Sequence, residues 1–246
     1  MKKTVSFLLG FAAVNLFWLI AAALLDTRAL PGPVEVYAHF GDVLAAGIFR
    51  HIGASLWRVF AGLFLALAAG VPVGLLMAAS PRWNALLHPV VYFSYPVPKT
   101  ALLPVAMLLF GLRDGSKILI ILLTVLFQVI VATRDAARAV DPGLYQVAVS
   151  AGASRGRLLG QITLPAVLPE LFTSLRIGVG TALAVLFIVE AYGTRAGVGY
   201  YILDAWSRID YLEMYGGIVV ISVVGAALFL AVDLLARRLC GWKEPS

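Results

Sequence analysis

Residues 117–133, KILIILLTVLFQVIVAT, and residues 171–192, LFTSLRIGVGTALAVLFIVEAY, are two apolar runs, and residues 134–169 between them, RDAARAVDPGLYQVAVSAGASRGRLLGQITLPAVLP, form the one long polar segment of the chain. Runs of this length and composition cross a hydrocarbon layer of about 30 Å as helices, because a helix satisfies its backbone N–H and C=O groups within the segment itself. The pair therefore reads as two membrane spans joined by a structured surface connection.

The same pattern extends outward in both directions. Thr4 to Leu25 is uncharged and follows Lys2 and Lys3, and a second run occupies about Ala54 to Ala79, with no charge between Arg58 and Arg82. A third, about Leu86 to Phe110, is interrupted by Tyr95-Pro96-Val97-Pro98-Lys99 and again by Pro104. Prolines free backbone carbonyls, which lipid tolerates only where neighbouring helices or a water-lined cavity satisfy them, so this span is expected to face the protein interior. The last run spans about Met214 to Leu235. Ala21-Ala22-Ala23 has the small side chains of a signal-peptidase site. The first run is nevertheless longer than a signal core of about 7–15 residues, so a retained span is expected.

Six crossings of about 20 residues would use about 120 residues, which leaves tails and loops too thin for another domain in a chain of 246 residues. Residues 1–246 thus read as a single all-α polytopic membrane domain. Composition agrees: 61% of residues are hydrophobic, 13% are charged and the mean hydropathy is +0.95, against roughly 25% charged in soluble domains. Continuous rather than alternating apolar runs disfavour a β-barrel. The net charge of +6 follows from the excess of Lys and Arg in cytoplasmic loops and needs no nucleic-acid partner. Cys240 is the only cysteine, which excludes an intrachain disulfide and a cysteine-ligated metal cluster.

Orientation follows from counting. With the amino terminus inside, Lys2, Lys3, Arg82, Arg134, Arg138, Arg155, Arg157, Arg237, Arg238 and Lys243 are cytoplasmic, ten in all, against six outside at Arg28, Arg50, Arg113, Lys117, Arg195 and Arg208. Both termini are therefore expected in the cytoplasm. Outside, Leu30-Pro31-Gly32-Pro33 breaks the helix, and Val34 to Gly53, which mixes charges with apolar residues, predicts an amphipathic surface helix.

Within the polar segment, Asp141 is placed to cap a helix beginning at Pro142, Gly152 to end it in a left-handed conformation, and Ser154 to cap a second short helix through Leu159. Small residues, Ala148, Ala151, Gly152, Ala153 and Ser154, cluster at this bend, where a partner's backbone can come close.

The run from Asp141 to Ala148, then Ala151-Gly152-Ala153-Ser154, then Ile162-Thr163-Leu164-Pro165-Ala166-Val167-Leu168-Pro169, resembles the EAA loop of ATP-binding cassette importer permeases. Leu175-Arg176-Ile177-Gly178, Val189-Glu190 and Gly197-Val198-Gly199-Tyr200 look like its continuation in the nitrate, sulfonate and taurine branch. Leu30-Pro31-Gly32-Pro33, Pro96-Val97-Pro98, Leu103-Pro104 and Phe110-Gly111 match the same branch, so the resemblance covers roughly residues 30–245. It implies a type I permease fold with six transmembrane helices and a cytoplasmic coupling helix at about 141–160, in the bacterial inner membrane. It also implies a second permease copy, two ATPase subunits that hold ATP and Mg, and an extracytoplasmic substrate-binding protein. Tyr145, Gln146, Ala148, Gly152, Ala153 and Ser154 would dock the ATPase, and a small anion such as a sulfonate, taurine or nitrate would be the cargo.

Two departures stand out. Gln146-Val147 replaces the usual Glu-Ala, which removes a carboxylate and adds bulk, and Ser174 stands where the family usually has Gly. The chain itself has no Gly-Lys pair, hence no G-x-x-x-x-G-K-[ST] phosphate loop, so ATP must be bound by another polypeptide. It is read as a permease subunit and not an enzyme: His39, His51 and His88 lack metal-ligand spacing, and no Ser, His and carboxylate set suggests hydrolysis. The rival class is an ATP-independent secondary transporter or channel, whose mark would be inverted repeats with matching broken helices. Only one span here is broken by prolines at its centre.

Charges inside spans are costly and point to function. Lys99 has two readings, an anion site or a partner for a carboxylate or a freed carbonyl. Glu190, about 28 Å along a helix from Leu171, either lines an outer gate or pairs with Arg195 or another helix. Arg176, the third pathway or gate candidate beside Lys99 and Glu190, is read first as an inner-interface or packing residue, and Arg58 is expected to snorkel near the outer end of the second span.

Overall fold

The computed structural model describes residues 2–242, and all the regular structure among them is helical. Lys243, one of the charges in the orientation count, lies outside these residues. In chain order the helices begin with α1 (Lys2–Leu25), α2 (Pro33–Ala38), α3 (Phe40–Ala45), α4 (Ile48–Ala79) and α5 (Pro81–Ser94). A 3₁₀ turn (Lys99–Leu102) leads into α6 (Leu103–Phe110), followed by α7 (Asp114–Arg138), α8 (Pro142–Ser150) and α9 (Arg155–Leu158). A π turn (Leu159–Thr163) then joins α9 to α10 (Leu164–Glu190), and α11 (Val198–Ser207) and α12 (Tyr211–Leu239) complete the chain.

Among the described residues five stretches are long and apolar enough to cross a membrane; α5 with the 3₁₀ turn and α6, bent by 86° at its break, makes a sixth where the pair is counted as one span and a re-entrant loop where it is not. The prolines mark the break: Pro96 and Pro98 lack N–H groups, and whereas Tyr95 still has a helical backbone, Pro98 is extended at φ −70°, ψ 102°. The stretch expected as the third span is thus a bent helix pair that starts at Pro81 rather than Leu86.

Three other expectations need correction. The amphipathic helix expected over 34–53 is instead α2, α3 and the first turns of α4, separated at His39 and at Gly47, whose φ is +81°. The fifth span does not start at Leu171, since helix runs from Arg155 through the π turn into α10. The second short helix of the polar segment is accordingly the head of a span and not a free-standing element.

The chain divides into two compact units, one comprising the residues up to Ser55 with Thr194–Val223, the other Leu56–Gly193 with the residues from Val224. In the first, the Trp18 indole donates to the Pro31 carbonyl at 3.0 Å and stacks on Tyr215, while Tyr37 donates to Asn15 at 2.7 Å. The Ser55 hydroxyl accepts from the Val198 N–H at 2.9 Å and so caps α11. His51 hydrogen-bonds Gly197 and stacks on Tyr200, a structural use of the ring.

In the second unit, α4 packs on α7 along glycines. A Cβ added at Gly62, Gly70 or Gly74 would fall 2.5, 2.8 and 2.7 Å from atoms of Ile121, Val129 and Ile130. Gly70-x-x-x-Gly74 is the small-residue spacing that lets membrane helices approach closely, and Gly62 extends the same stripe. Below it Met77, Val91 and Ile130 form a buried cluster. Gly74→Val would drive a branched side chain into the Ile130 carbonyl and Thr133. A loss of about 1–3 kcal/mol is expected, read as a lower melting temperature and a smaller monodisperse fraction in detergent.

Candidate functional site

Three features of the second unit bear on function, and the first is the polar segment. Asp141 accepts from the Gly143 N–H at 2.8 Å and caps α8, with Pro142 at its first position. At the other end Gly152 has φ +81°, and the Ala153 N–H bonds back to the Ala148 carbonyl at 2.9 Å, the six-residue closure of a left-handed helix stop. Ser154 sits at the start of α9 without a side-chain cap bond. The bend is anchored by Tyr145, whose hydroxyl meets Thr163 at 3.0 Å and ties α8 to the π turn.

Tyr145, Gln146, Ala148, Gly152, Ala153 and Ser154 therefore lie on one bent element between α7 and α10. It is mostly exposed, including the apolar side chains of Leu144, Val147 and Val149. Among the described residues of this element Gly152 alone has a positive φ, and of the six only Tyr145 is bonded by its side chain to another helical segment.

The second feature surrounds the broken span. Lys99 turns its ammonium back onto the carbonyls that the prolines free: it donates to Ser94, to Val97 at 2.8 Å and to Tyr95 at 3.4 Å. It also lies 5.0 Å from the centre of the Phe127 ring. Of the two readings of Lys99, the freed-carbonyl contact is therefore present. Beside it is a cavity of about 230 Å³ lined by Tyr95, Val97, Lys99, Thr100, Thr124, Phe127, Gln128 and Val185. A second cavity of about 640 Å³, flanked by α7 and α10, reaches Asp135, Val140 and Glu170 near the polar segment. Tyr95 and Gln128 line both.

The third feature is a buried charge cluster. Arg58 is 3% exposed and Glu190 and Lys117 are fully buried. Arg58 donates to Glu190 at 2.6 Å and to Asp114 at 2.7 Å, which joins α4, the start of α7 and the end of α10. Lys117 donates to the Leu112 carbonyl and, at 3.4 Å, to that of Gly193. Glu190 thus pairs with another helix, as one of its two readings held, whereas Arg58 does not snorkel. Sequence reasoning missed Arg58 because its partner is 132 residues away. The available signal was a pairing of opposite charges near the same ends of adjacent spans. Arg176, expected at an interface, forms a half-exposed pair with Asp233 at 3.3 Å and lies 5.9 Å from the Phe229 ring. Among the described residues no group of His, Cys, Asp and Glu is arranged to hold a metal.

Comparison with known proteins places these features in context. Residues 70–240 match the family described as the binding-protein-dependent transport system inner membrane component. The chain is 32% identical to the taurine transport system permease protein TauC of Escherichia coli (strain K12), with 98% of this chain and 91% of that one covered. It is 31% identical to the putative aliphatic sulfonates transport permease protein SsuC of Bacillus subtilis (strain 168), covering 95% and 86%. Among solved structures, the MetNI methionine ABC transporter in an inward-facing conformation superposes with a TM-score of 0.68 at 20% identity, over 78% of this chain and 95% of that one. A bacterial alginate ABC transporter in complex with an alginate pentasaccharide-bound periplasmic protein gives 0.67 at 18% identity, over 97% and 95%.

Proposed function

The chain belongs to the binding-protein-dependent transport system inner membrane components, permease subunits that form the translocation pathway of ATP-driven importers, and we propose that it works as a homodimer with two ATPase subunits and an extracytoplasmic substrate-binding protein. The cargo is a small anion, with a sulfonate, taurine or nitrate the favoured candidates. Similarity to taurine and aliphatic sulfonate permeases supports that choice, as does a lysine beside a cavity in the broken span. ATP and Mg bind on the partner ATPase, and both termini of the permease are cytoplasmic.

One observation carries the mechanism: a bent, exposed element with exposed apolar side chains is joined to α7 through only residues 139–141 and to α10 through α9 and the π turn. Tyr145, Gln146, Ala148, Gly152, Ala153 and Ser154 form the surface on which the ATPase docks. When the ATPase subunits close on ATP, this element passes their movement to both helices, and rigid-body rotation of packed helices changes the side to which the pathway opens. Glu190 with Arg58 holds the far ends of α4, α7 and α10 together during that movement, and Arg176 steadies α10 against Asp233 on α12. Lys99 faces the pathway at its narrow centre.

Reconstitution tests this reading. In proteoliposomes carrying the permease, the copurified ATPase and the cognate binding protein, uptake is expected only with ATP inside the ATPase-facing compartment. It should stop when the ATPase is stripped. Flux that persists without ATPase or nucleotide would establish the channel or secondary-transporter alternative instead.

A further inference from the structure

The cavities on either side of Tyr95 and Gln128 carry a more specific reading, which rests on the importer function just proposed. We infer that Lys99, Thr100 and Gln128, with the Phe127 ring, form a binding subsite for a small organic anion at the head of the vestibule leading toward the polar segment.

The argument begins with the ammonium. Lysine has three N–H donors, and Lys99 spends them on three carbonyls of one broken turn, the weakest held being Tyr95 at 3.4 Å. Its positive charge is thereby fixed beside the 230 Å³ cavity. An arriving acid group needs to displace only the Tyr95 contact to gain a charge-assisted hydrogen bond, which is stronger than the neutral-acceptor bond it replaces. Thr100, on the next residue, brings a hydroxyl to the same cavity.

Gln128 supplies the second observation. Its Oε1 is buried and has no hydrogen-bond partner among the described residues, and buried polar atoms without partners are rare in folded chains. The amide lines both cavities, so it stands where a molecule passing from one to the other is in reach. The unpartnered atom is an acceptor, so it suits an anion whose short body also carries a donor such as an ammonium.

The remaining lining selects the class. Phe127, Val97 and Val185 are apolar, and an inorganic oxyanion would leave them, and most of the 230 Å³, without contacts. An anion carrying a short hydrocarbon body fills the cavity, its head on Lys99 and Thr100 and its body against these side chains. Burial of that body adds a favourable transfer term that nitrate or bicarbonate cannot obtain.

Equilibrium dialysis of the nucleotide-free permease–ATPase complex, with radiolabelled taurine, whose ammonium can donate to Gln128 Oε1, and nitrate as probes, tests the subsite. Native complex is expected to retain taurine and not nitrate. Gln128→Leu, which keeps side-chain volume, is expected to weaken retention by about tenfold or more, and Lys99→Met to abolish it. Because Lys99→Met also uncovers three carbonyls, Lys99→Arg serves as the folded control and is expected to retain the probe. Equal retention of nitrate, no retention by native complex, or retention unchanged in Gln128→Leu would each overturn the subsite. ATP-driven uptake measured on the same native preparation separates this outcome from failure of the importer reading, because the subsite can be wrong while uptake still requires ATP.

Discussion

Glu190→Ala is expected to destabilise the protein more than any other single side-chain truncation in the spans. It would leave the Arg58 guanidinium, 3% exposed, without its 2.6 Å carboxylate partner, while the pair with Asp114 remains. Breaking a buried ion pair by removing one partner costs about 3–5 kcal/mol, since the remaining charge stays desolvated. For a chain of this size that is a fall on the order of 10 °C in melting temperature, measurable by fluorescence-detected size exclusion of heated detergent extracts. The double replacement Arg58→Met with Glu190→Met removes both charges and fills their volume, so it is expected to recover most of the loss. A double variant no more stable than Glu190→Ala would show that the cluster contributes through something other than charge pairing.

Gly152→Val is expected to abolish uptake while leaving the spans intact. At φ +81° a β-branched residue is a genuine outlier, and the left-handed conformation costs an L-residue about 1–2 kcal/mol. Relief comes from reshaping the bend, since nothing packs on the position within 4 Å and the surrounding segment is exposed. Copurification of the ATPase should fall at least severalfold and ATP-dependent uptake should disappear, with the melting temperature of the permease nearly unchanged. Gly152→Asn, whose side chain tolerates this conformation, should retain most of both. If valine left coupling intact, the bend would not be the docking element.

Much of the fold was legible because the bilayer leaves a chain few options. Long apolar runs with few charges located the crossings, and Pro96 and Pro98 mark the pair that bends by 86°. Asp141, Pro142 and Gly152 marked the turns of the polar segment through local rules that need no tertiary information. What local rules do not contain is partnership. Arg58 looked like a snorkelling residue because its solvation was judged from its own run, whereas its fate was decided by Glu190 on a distant helix. Lys99 left two readings open for the same reason: charge and depth are sequence properties, but the direction of an ammonium depends on where the freed carbonyls of residues 94–97 point. The short helices at 33–45 were read as one because a six-residue helix and a continuous one have the same amphipathic spacing.

The π turn at Leu159–Thr163 has a consequence for rotational phase. A wider turn absorbs one additional residue without swinging the helices on either side out of line, and one residue on an α-helix corresponds to about 100° of azimuth. A single helical wheel drawn over residues 155–190 would therefore assign Arg155 and Arg157 to the wrong compass bearing relative to Gly178 and Val185. Removing one residue from this wide turn would restore uniform winding and turn α9, the head of the fifth span, by about 100° relative to α10.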